Sequence, residues 1–148
     1  MAIDLGTTAG WALALKGSDA ALSGVWSFAR GKFDGAGMRF VKFRKKLQDL
    51  HNIFEIQAVY FEGVRAHKGV DAAHAYGGFM AVLQSFCEEN AVPYDGVSVQ
   101  DIKKYATGRG NADKDAMIAA VRGWGHDPAT SDEADAIAIL RLVLEKRE

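Results

Sequence analysis

The chain has 148 residues, of which 49% are hydrophobic and 25% charged, and its formal net charge is −1. This length and composition predict one domain, spanning residues 1–148, around one hydrophobic core. The near-neutral balance excludes a globally basic protein, so any nucleic-acid-binding surface must be local. The single cysteine, Cys87, excludes a disulfide framework within the chain and favours a cytoplasmic location.

No run of the sequence approaches the roughly 20 apolar residues that a membrane span needs. We expect no secretory signal, because the N-terminus lacks a basic segment followed by an apolar one. Strand-like sequence begins directly at Met1, which leaves open whether a residue or two precede it.

The first thirty or so residues predict an antiparallel meander of three strands. Residues 1–5, 11–15 and 24–29 are apolar segments separated by glycine-containing turns. Residues 36–54 then change to a helical period. The apolar side chains of one helix face are Phe40, Phe43, Leu47, Leu50 and Phe54.

The rest of the chain alternates strands with helices. Residues 57–62 are apolar without alternation, which is typical of a strand buried on both faces of a parallel sheet. We predict a helix at 71–90, a strand at 92–99, and helices at 100–106, 113–122 and 131–145. Mid-helix glycines cost about 1 kcal/mol each, so the pair Gly77-Gly78 predicts close packing against another backbone, in this chain or in a partner subunit.

This order predicts an α/β fold with a five-stranded mixed sheet flanked by helices. Strands 1–3 would form the antiparallel meander, and strands 1, 4 and 5 would run parallel. The carboxyl ends of parallel strands meet at one edge of a sheet, where functional groups tend to collect.

Four carboxylates stand where burial would be costly: Asp4, Glu62, Asp132 and Asp135. Asp4 interrupts the first strand, Glu62 ends the fourth, and the other two share one face of the last helix at spacing i, i+3. Lone buried carboxylates are very unfavourable, and clustered acids shift each other's pKa. Bound divalent cations resolve both problems, and ligands that are all oxygen favour Mg²⁺, with Mn²⁺ as a substitute.

Each acid also has a structural interpretation. Asp4 fits a turn-initiating aspartate before Gly6, Glu62 a solvated strand end, and Asp132 a carboxylate at a positive helix N-terminus, worth a few tenths to about 1 kcal/mol. Asp135 is harder to explain, because its neighbours in residues 134–140 are apolar. Glu133 has capping-box spacing from Thr130, and we leave it out of the site for that reason.

Several segments resemble RuvC-type Holliday junction resolvases. Residues 3–11 (Ile-Asp-Leu-Gly-Thr-Thr-Ala-Gly-Trp) resemble the family's first strand, residues 61–64 (Phe-Glu-Gly-Val) its fourth strand, and residues 132–138 (Asp-Glu-Ala-Asp-Ala-Ile-Ala) its C-terminal helix. Residues 102–104 and 111–114 resemble its lysine-bearing segment, with Lys103 and Lys114 at a similar separation of 11 positions. The resemblance covers essentially the whole chain, in order.

The resemblance is greatest to small RuvC-like proteins of bacteriophages and prophages, whose helix motif matches residues 73–78 (Ala-His-Ala-Tyr-Gly-Gly). It implies an RNase H-like fold, a homodimer, and a crossover junction endodeoxyribonuclease acting in DNA recombination and repair. Such an enzyme would nick Holliday junctions or other branched DNA with Mg²⁺ and leave 5′-phosphate and 3′-hydroxyl ends. If phage-encoded, it would work in the bacterial host cytoplasm.

In the implied mechanism, Asp4, Glu62, Asp132 and Asp135 hold two metal ions, which activate a water and stabilise the departing oxygen. We expect Asp4 to bridge the metals, because a central strand places it most rigidly. Lys114 is the expected catalytic cation beside the metals, although it also fits a solvated lysine in the first turn of a helix. Lys103 would contact the DNA backbone.

Basic side chains on both sides of the acids are the expected DNA contacts: Arg65, His67, Lys68, Lys103, Lys104 and Arg109. The chain departs from the family pattern at Arg65, where an aromatic residue proposed to wedge into the junction usually follows the glutamate. The basic residues between Arg39 and Lys46 are interpreted as a solvated helix face.

Three other functions are alternatives. Residues 4–8 (Asp-Leu-Gly-Thr-Thr) also resemble the phosphate loop of actin-type and sugar-kinase-type nucleotide-binding proteins, which need a second domain that this chain has no room for. A non-catalytic branched-DNA-binding module would be expected to lose a carboxylate, whereas all four are present. A nuclease for flaps or packaging intermediates has the same sequence signals as a junction nuclease.

Overall fold

In the computed structural model, residues 1–64, 67 and 69–146 are described. Within these residues, five strands form one sheet in the order β3-β2-β1-β4-β5. Their bounds are Ala2–Asp4 for β1, Thr8–Ala14 for β2, Ala21–Ser27 for β3, Val59–Gly63 for β4 and Tyr94–Ser98 for β5. Strands β1, β2 and β3 pair antiparallel, whereas β1, β4 and β5 run parallel. The predicted mixed sheet and its strand directions are confirmed.

In the described residues, five helices cover the two faces of this sheet. They are α1 (Met38–Phe54), α2 (Val70–Glu89), α3 (Val99–Thr107), α4 (Lys114–Gly123) and α5 (Ser131–Lys146). Ile3 belongs to the core beneath α1 and α2, and its neighbour Ala2 to the core beneath α3, α4 and α5. Successive strand residues point to opposite faces, so β1 lies buried between the two helical layers.

The core under α1 and α2 contains a cluster of aromatic rings among its aliphatic side chains. Phe43 meets Phe28 and Phe79 edge-on, with ring centroids 5.5 Å apart in both pairs, an arrangement that aromatic quadrupoles favour. A Cβ on Gly78 would lie 2.4 Å from Cζ of Phe40, so this glycine makes room for a side chain of α1. The prediction that the glycine pair packs against another backbone was wrong for Gly78, and Gly77 faces open space.

The opposite face is covered mainly by α5, which is nearly continuous in buried apolar residues from Ala134 to Val143. Gly10 on β2 allows its closest approach, because a Cβ there would lie 1.9 Å from the carbonyl oxygen of Asp132. A glycine in a strand interior often marks such a close backbone contact. The start of α5 is thereby set directly over β2, beside β1.

Cys87 is fully buried, and desolvation raises the pKa of its thiol to about 11. This confirms the interpretation of Cys87 as a small buried hydrophobe, because the reactive form of cysteine is the thiolate. Within the described part of the chain, no helix combines the length and apolar character that crossing a membrane requires.

Candidate metal centre

Three carboxylates converge at one edge of the sheet. Asp4, Glu62 and Asp135 each place an oxygen within 4.8 Å of the others, so these atoms could hold a metal ion. They come from the ends of β1 and β4 and from the second turn of α5.

The parallel pairing of β1 and β4 brings the first two acids together. Ile3 lies opposite Phe61 in this ladder, which puts the next residues, Asp4 and Glu62, side by side at the carboxyl ends of their strands. Ile3 and Phe61 both belong to the core under α1 and α2. By strand alternation, Asp4 and Glu62 therefore face α5.

A capping arrangement fixes the start of α5. The backbone N–H of Glu133 donates to Oγ1 of Thr130 at 3.2 Å, and the Glu133 carboxylate accepts from the N–H of Ala129 at 2.7 Å and from the Ser23 hydroxyl at 2.8 Å. The predicted capping box is thus altered, because its return bond comes from Ala129 and not from Thr130. Glu133 is the one buried charged side chain in the described ranges, and its hydrogen bonds are used by this cap.

Burial and mutual repulsion dominate the electrostatics of the cluster. Desolvation, followed by repulsion from Glu62, Asp135 and Asp132, raises the pKa of Asp4 to about 10. Desolvation and repulsion from Glu62 and Asp132 also raise the pKa of Asp135 to about 7. A hydrogen bond with the Glu62 side chain makes the smallest contribution to the raised pKa of Asp4. Without a cation, the cluster therefore retains protons at neutral pH.

Asp132 stands beside the cluster and not within its three-oxygen group. It is half-buried, and its charge contributes to the raised pKa of both Asp4 and Asp135. The fourth predicted acid is thus close enough to interact, while the other three are in direct reach of one ion.

Two lysines oppose the repulsion at Asp135. Lys103 on α3 and Lys114 at the start of α4 both lower the pKa of that carboxyl, Lys103 more strongly. Lys103 is half-buried and Lys114 is exposed. The Asp113 side chain caps α4 by accepting from the N–H of Ala116 at 2.8 Å, which fixes where Lys114 leaves the helix. Lys103 thus has the larger electrostatic effect on Asp135, and the role of Lys114 as the catalytic cation stays a prediction.

The other expected DNA contacts are placed in different ways. Lys104 and Arg109 are exposed on and just beyond α3. Arg65 and Lys68 lie outside the described residues. His67 is half-buried with its ring centroid 4.6 Å from that of Tyr76, so it packs against α2.

Sequence reasoning missed two residues that position the acids. The Tyr76 hydroxyl donates to the carbonyl oxygen of Glu62 at 2.9 Å and accepts from the N–H of Val64 at 3.4 Å, which secures the end of β4. Gly10 admits the start of α5. In the sequence, Tyr76 is noted only as part of the motif at residues 73–78, and Gly10 is predicted in the turn before the second strand, whereas it lies within β2.

No family model and no curated protein matches the sequence. Solved structures do match. The chain is similar to T. thermophilus RuvC in complex with Holliday junction substrate, with a TM-score of 0.77, 26% identity, and coverage of 93% of this chain and 87% of that one. A second Thermus thermophilus RuvC structure matches with a TM-score of 0.71 and the same identity and coverage. With the strand order and the acids described above, this likeness identifies the chain as a RuvC-like protein with the RNase H-like fold.

Proposed function

We propose that the protein is a divalent-metal-dependent endonuclease that nicks Holliday junctions or closely related branched DNA. The observation that carries this proposal is the meeting of Asp4, Glu62 and Asp135 from three separate elements at one sheet edge. The similar RuvC structure from T. thermophilus holds a Holliday junction substrate, which supports branched DNA as the substrate class here.

The chemistry of the donor set fits a hard divalent cation. All three convergent ligands are carboxylate oxygens, which Mg²⁺ prefers and Mn²⁺ also accepts. Desolvation and then repulsion from the neighbouring acids raise the pKa of Asp4, and a bound cation would offset that repulsion. We propose Asp4 as the shared ligand, because it interacts with Glu62, Asp135 and Asp132 alike. Asp132 would complete the set from its neighbouring position.

Two bound divalent cations would activate a water for in-line attack and stabilise the leaving 3′ oxygen, which gives 5′-phosphate and 3′-hydroxyl ends. The four carboxylates would keep these cations at the sheet edge and away from the core. Lys103 and Lys114 would supply positive charge to the phosphate on the α3–α4 side of the acids. The half-buried Lys103 is the better placed of the two for a fixed contact.

We further propose that DNA lies across the acids between two basic regions. Lys103, Lys104 and Arg109 would contact phosphates on one side, and Arg65, His67 and Lys68 would do so on the other. His67 would act from its packed position against Tyr76. Phosphate contacts of this kind carry no sequence information and weaken with salt.

A homodimer would present two such centres to the strands of one junction. Ala73, Gly77 and Ala81 follow one another at helical spacing on α2 and are exposed, as is Val70 at 68%. This small, apolar face would allow a second copy to approach closely. Residues 73–78 also support a place among phage or prophage RuvC-like proteins acting in the bacterial cytoplasm.

A synthetic four-way junction and a matched duplex, each with and without Mg²⁺, test the proposal. We expect the junction to be nicked only with Mg²⁺, and nicking to be lost in Asp4→Asn and Glu62→Gln. Asp49→Asn is the control, since Asp49 is an exposed acid whose visible partner is Lys45 on the same helix. Nicking that persists in both site variants would rule out this centre. Equal cutting of duplex would rule out junction selectivity, and binding without nicking would favour the non-catalytic module.

A further inference from the structure

Phe33 is far more exposed than the other large hydrophobic side chains in the described residues. It is 91% exposed, while the remaining exposed ones range from 38% to 69%. Single exposed apolar residues are common on protein surfaces, so exposure alone assigns nothing. The hydrogen bonds of its turn, the basic residues around it and its position relative to the acids distinguish Phe33 from such residues.

The turn at residues 31–34 is held in one conformation by Asp34. The Asp34 carboxylate accepts from the N–H of Gly31 at 2.9 Å and from Nζ of Lys42 at 2.8 Å. The Asp34 N–H donates to the Gly31 carbonyl at 3.1 Å, and Nε of Arg30 donates to the Asp34 carbonyl at 2.9 Å. These bonds close the turn and tie it to α1. The hydrogen-bonded turn therefore holds Phe33 in an exposed position.

Phe33 lies in a basic segment, although the chain as a whole has a formal net charge of −1. Residues 30–46 contain seven Lys and Arg against one acid, whereas the whole chain has 18 against 19. Arg44 and Lys45 pair with Glu89 and Asp49. Arg30 and Lys32 are the cations nearest in sequence to Phe33, and Nζ of Lys32 lies 5.6 Å from its ring centroid. An exposed aromatic ring among cations matches the way proteins bind unpaired bases next to phosphates.

The turn leaves the sheet at the same edge as the acids. β3 is antiparallel to β2 with Ser27 opposite Thr8, and the Phe28 N–H donates to the Thr7 carbonyl at 2.7 Å. Across β2, Asp4 lies level with Val25, so β3 continues for two residues beyond Asp4, to Ser27, at the same end of the sheet. β1 and β3 are two strand spacings apart, roughly 10 Å, and the turn lies beyond the end of β3. DNA that is held at the acids and extends across β2 would approach this turn.

We propose, on the basis of the nuclease function proposed above, that Phe33 stacks on an exposed base of the branched DNA held at the metal centre. Arg30 and Lys32 contact the adjoining phosphates. Unpaired or weakly stacked bases occur at a branch point and are absent from continuous duplex. The turn thus contributes to preference for branched DNA, and its basic neighbours contribute to affinity for any DNA.

The test is binding, in EDTA, of a four-way junction with 2-aminopurine beside the branch point and of a matched duplex. We expect Phe33→Ala to weaken junction binding about 5- to 150-fold, the range for one stacked base, with little change for duplex. The fluorescence change that accompanies junction binding should be lost in Phe33→Ala and kept in Phe33→Trp. Ile53→Ala is the matched control, since Ile53 is 69% exposed at the far end of α1.

Lys32→Gln separates charge from stacking. It should weaken junction and duplex equally and lower the slope of log affinity against log salt by about 1, while Lys16→Gln, an exposed lysine of the β2–β3 turn, should not. Phe33→Ala protein that binds the junction within twofold of wild type, with the same fluorescence change, would overturn the proposal. So would a shift of Phe33→Ala from dimer to monomer in sedimentation, because the ring would then be covered by a second copy. Wild-type protein that shows no preference for the junction would overturn the proposed function as well.

Discussion

Gly10 and Asp132 touch through their backbones, so closely that a Cβ on Gly10 would lie 1.9 Å from the Asp132 carbonyl oxygen. Gly10 is also the ladder partner of Asp4. Because Gly10 has no side chain, its contact with Asp132 sets the distance between the helix that carries Asp135 and the strand that carries Asp4.

We expect Gly10→Ala to move α5 away from the sheet. Overpacking of this kind costs about 1–3 kcal/mol of stability, and a displacement of about 1 Å at a catalytic group can cost 100-fold in rate. Thermal unfolding and junction nicking measure the two effects. Gly123→Ala is the control, because nothing lies within 4 Å of a Cβ at that position. Wild-type nicking by Gly10→Ala would show that α5 is not positioned by this contact.

Metal-free protein should lose stability as the pH rises. The folded-state pKa of Asp4 is raised from 3.8 to about 10 and that of Asp135 from 3.8 to about 7. The folded state therefore binds protons more tightly than the unfolded state, and stability falls as pH rises above about 4. The contribution of Asp135 ends near pH 7 and that of Asp4 near pH 10. Melting temperatures in EDTA should follow this course, and the fall above pH 7 should be smaller in Asp4→Asn.

Added Mg²⁺ should compete with these protons. Its stabilising effect grows with ligand concentration relative to Kd, and its affinity should increase with pH because the carboxylates must be deprotonated to bind it. Calorimetric titration between pH 6 and 8 measures this affinity, with Asp49→Asn as the control. A Mg²⁺ affinity that is independent of pH over this interval would contradict the raised pKa of Asp135.

Lys103 and Lys114 can be ranked by their effect on Asp135. Lys103 lowers the pKa of Asp135 more than Lys114 does. We expect Lys103→Gln to raise that pKa further and to move the pH dependence of Mg²⁺ binding and nicking upward, more than Lys114→Gln. A larger effect of Lys114→Gln than of Lys103→Gln would support the expected role of Lys114 as the catalytic cation.

The strand order shows how much of this centre a sequence can specify. Apolar runs and the sequence of elements place β1 beside β4 in parallel, which is sufficient to predict that Asp4 and Glu62 meet. The spacing of Asp132 and Asp135 indicates a shared helix face. Neither pattern predicts the distance between α5 and the sheet, because that distance depends on the contact between Gly10 and the backbone of α5.

The larger effect of Lys103 on the pKa of Asp135 and the side chain that packs on Gly78 could not be predicted from the sequence for a related reason. Both depend on burial and on which side chain fills a space, and residue spacing along the chain does not encode either. The ring of Phe40 fills the space above Gly78, and the half-buried position of Lys103 follows from how α3 packs on α5.

Tyr76→Phe tests the support of the β4 end. The change removes the hydrogen bond to the Glu62 carbonyl and the one from Val64, so we expect a loss of about 0.5–1.5 kcal/mol and slower nicking with little change in DNA affinity. Tyr94→Phe is the matched control, because the Tyr94 hydroxyl bonds to Glu88 on the exposed surface at 2.9 Å. If both variants nick equally fast, Tyr76 does not position Glu62.

Asp4, whose pKa is raised to about 10 by burial and by the neighbouring acids, keeps its proton at neutral pH when no cation is bound. A protonated Asp4 would let the ends of β1 and β4 come together with less charge, so the chain could complete its fold before any cation binds. Folding and cation binding would then be separate steps. Each cation that binds would displace protons to the solvent. This proton release would accompany the change from a folded, metal-free chain to an active one.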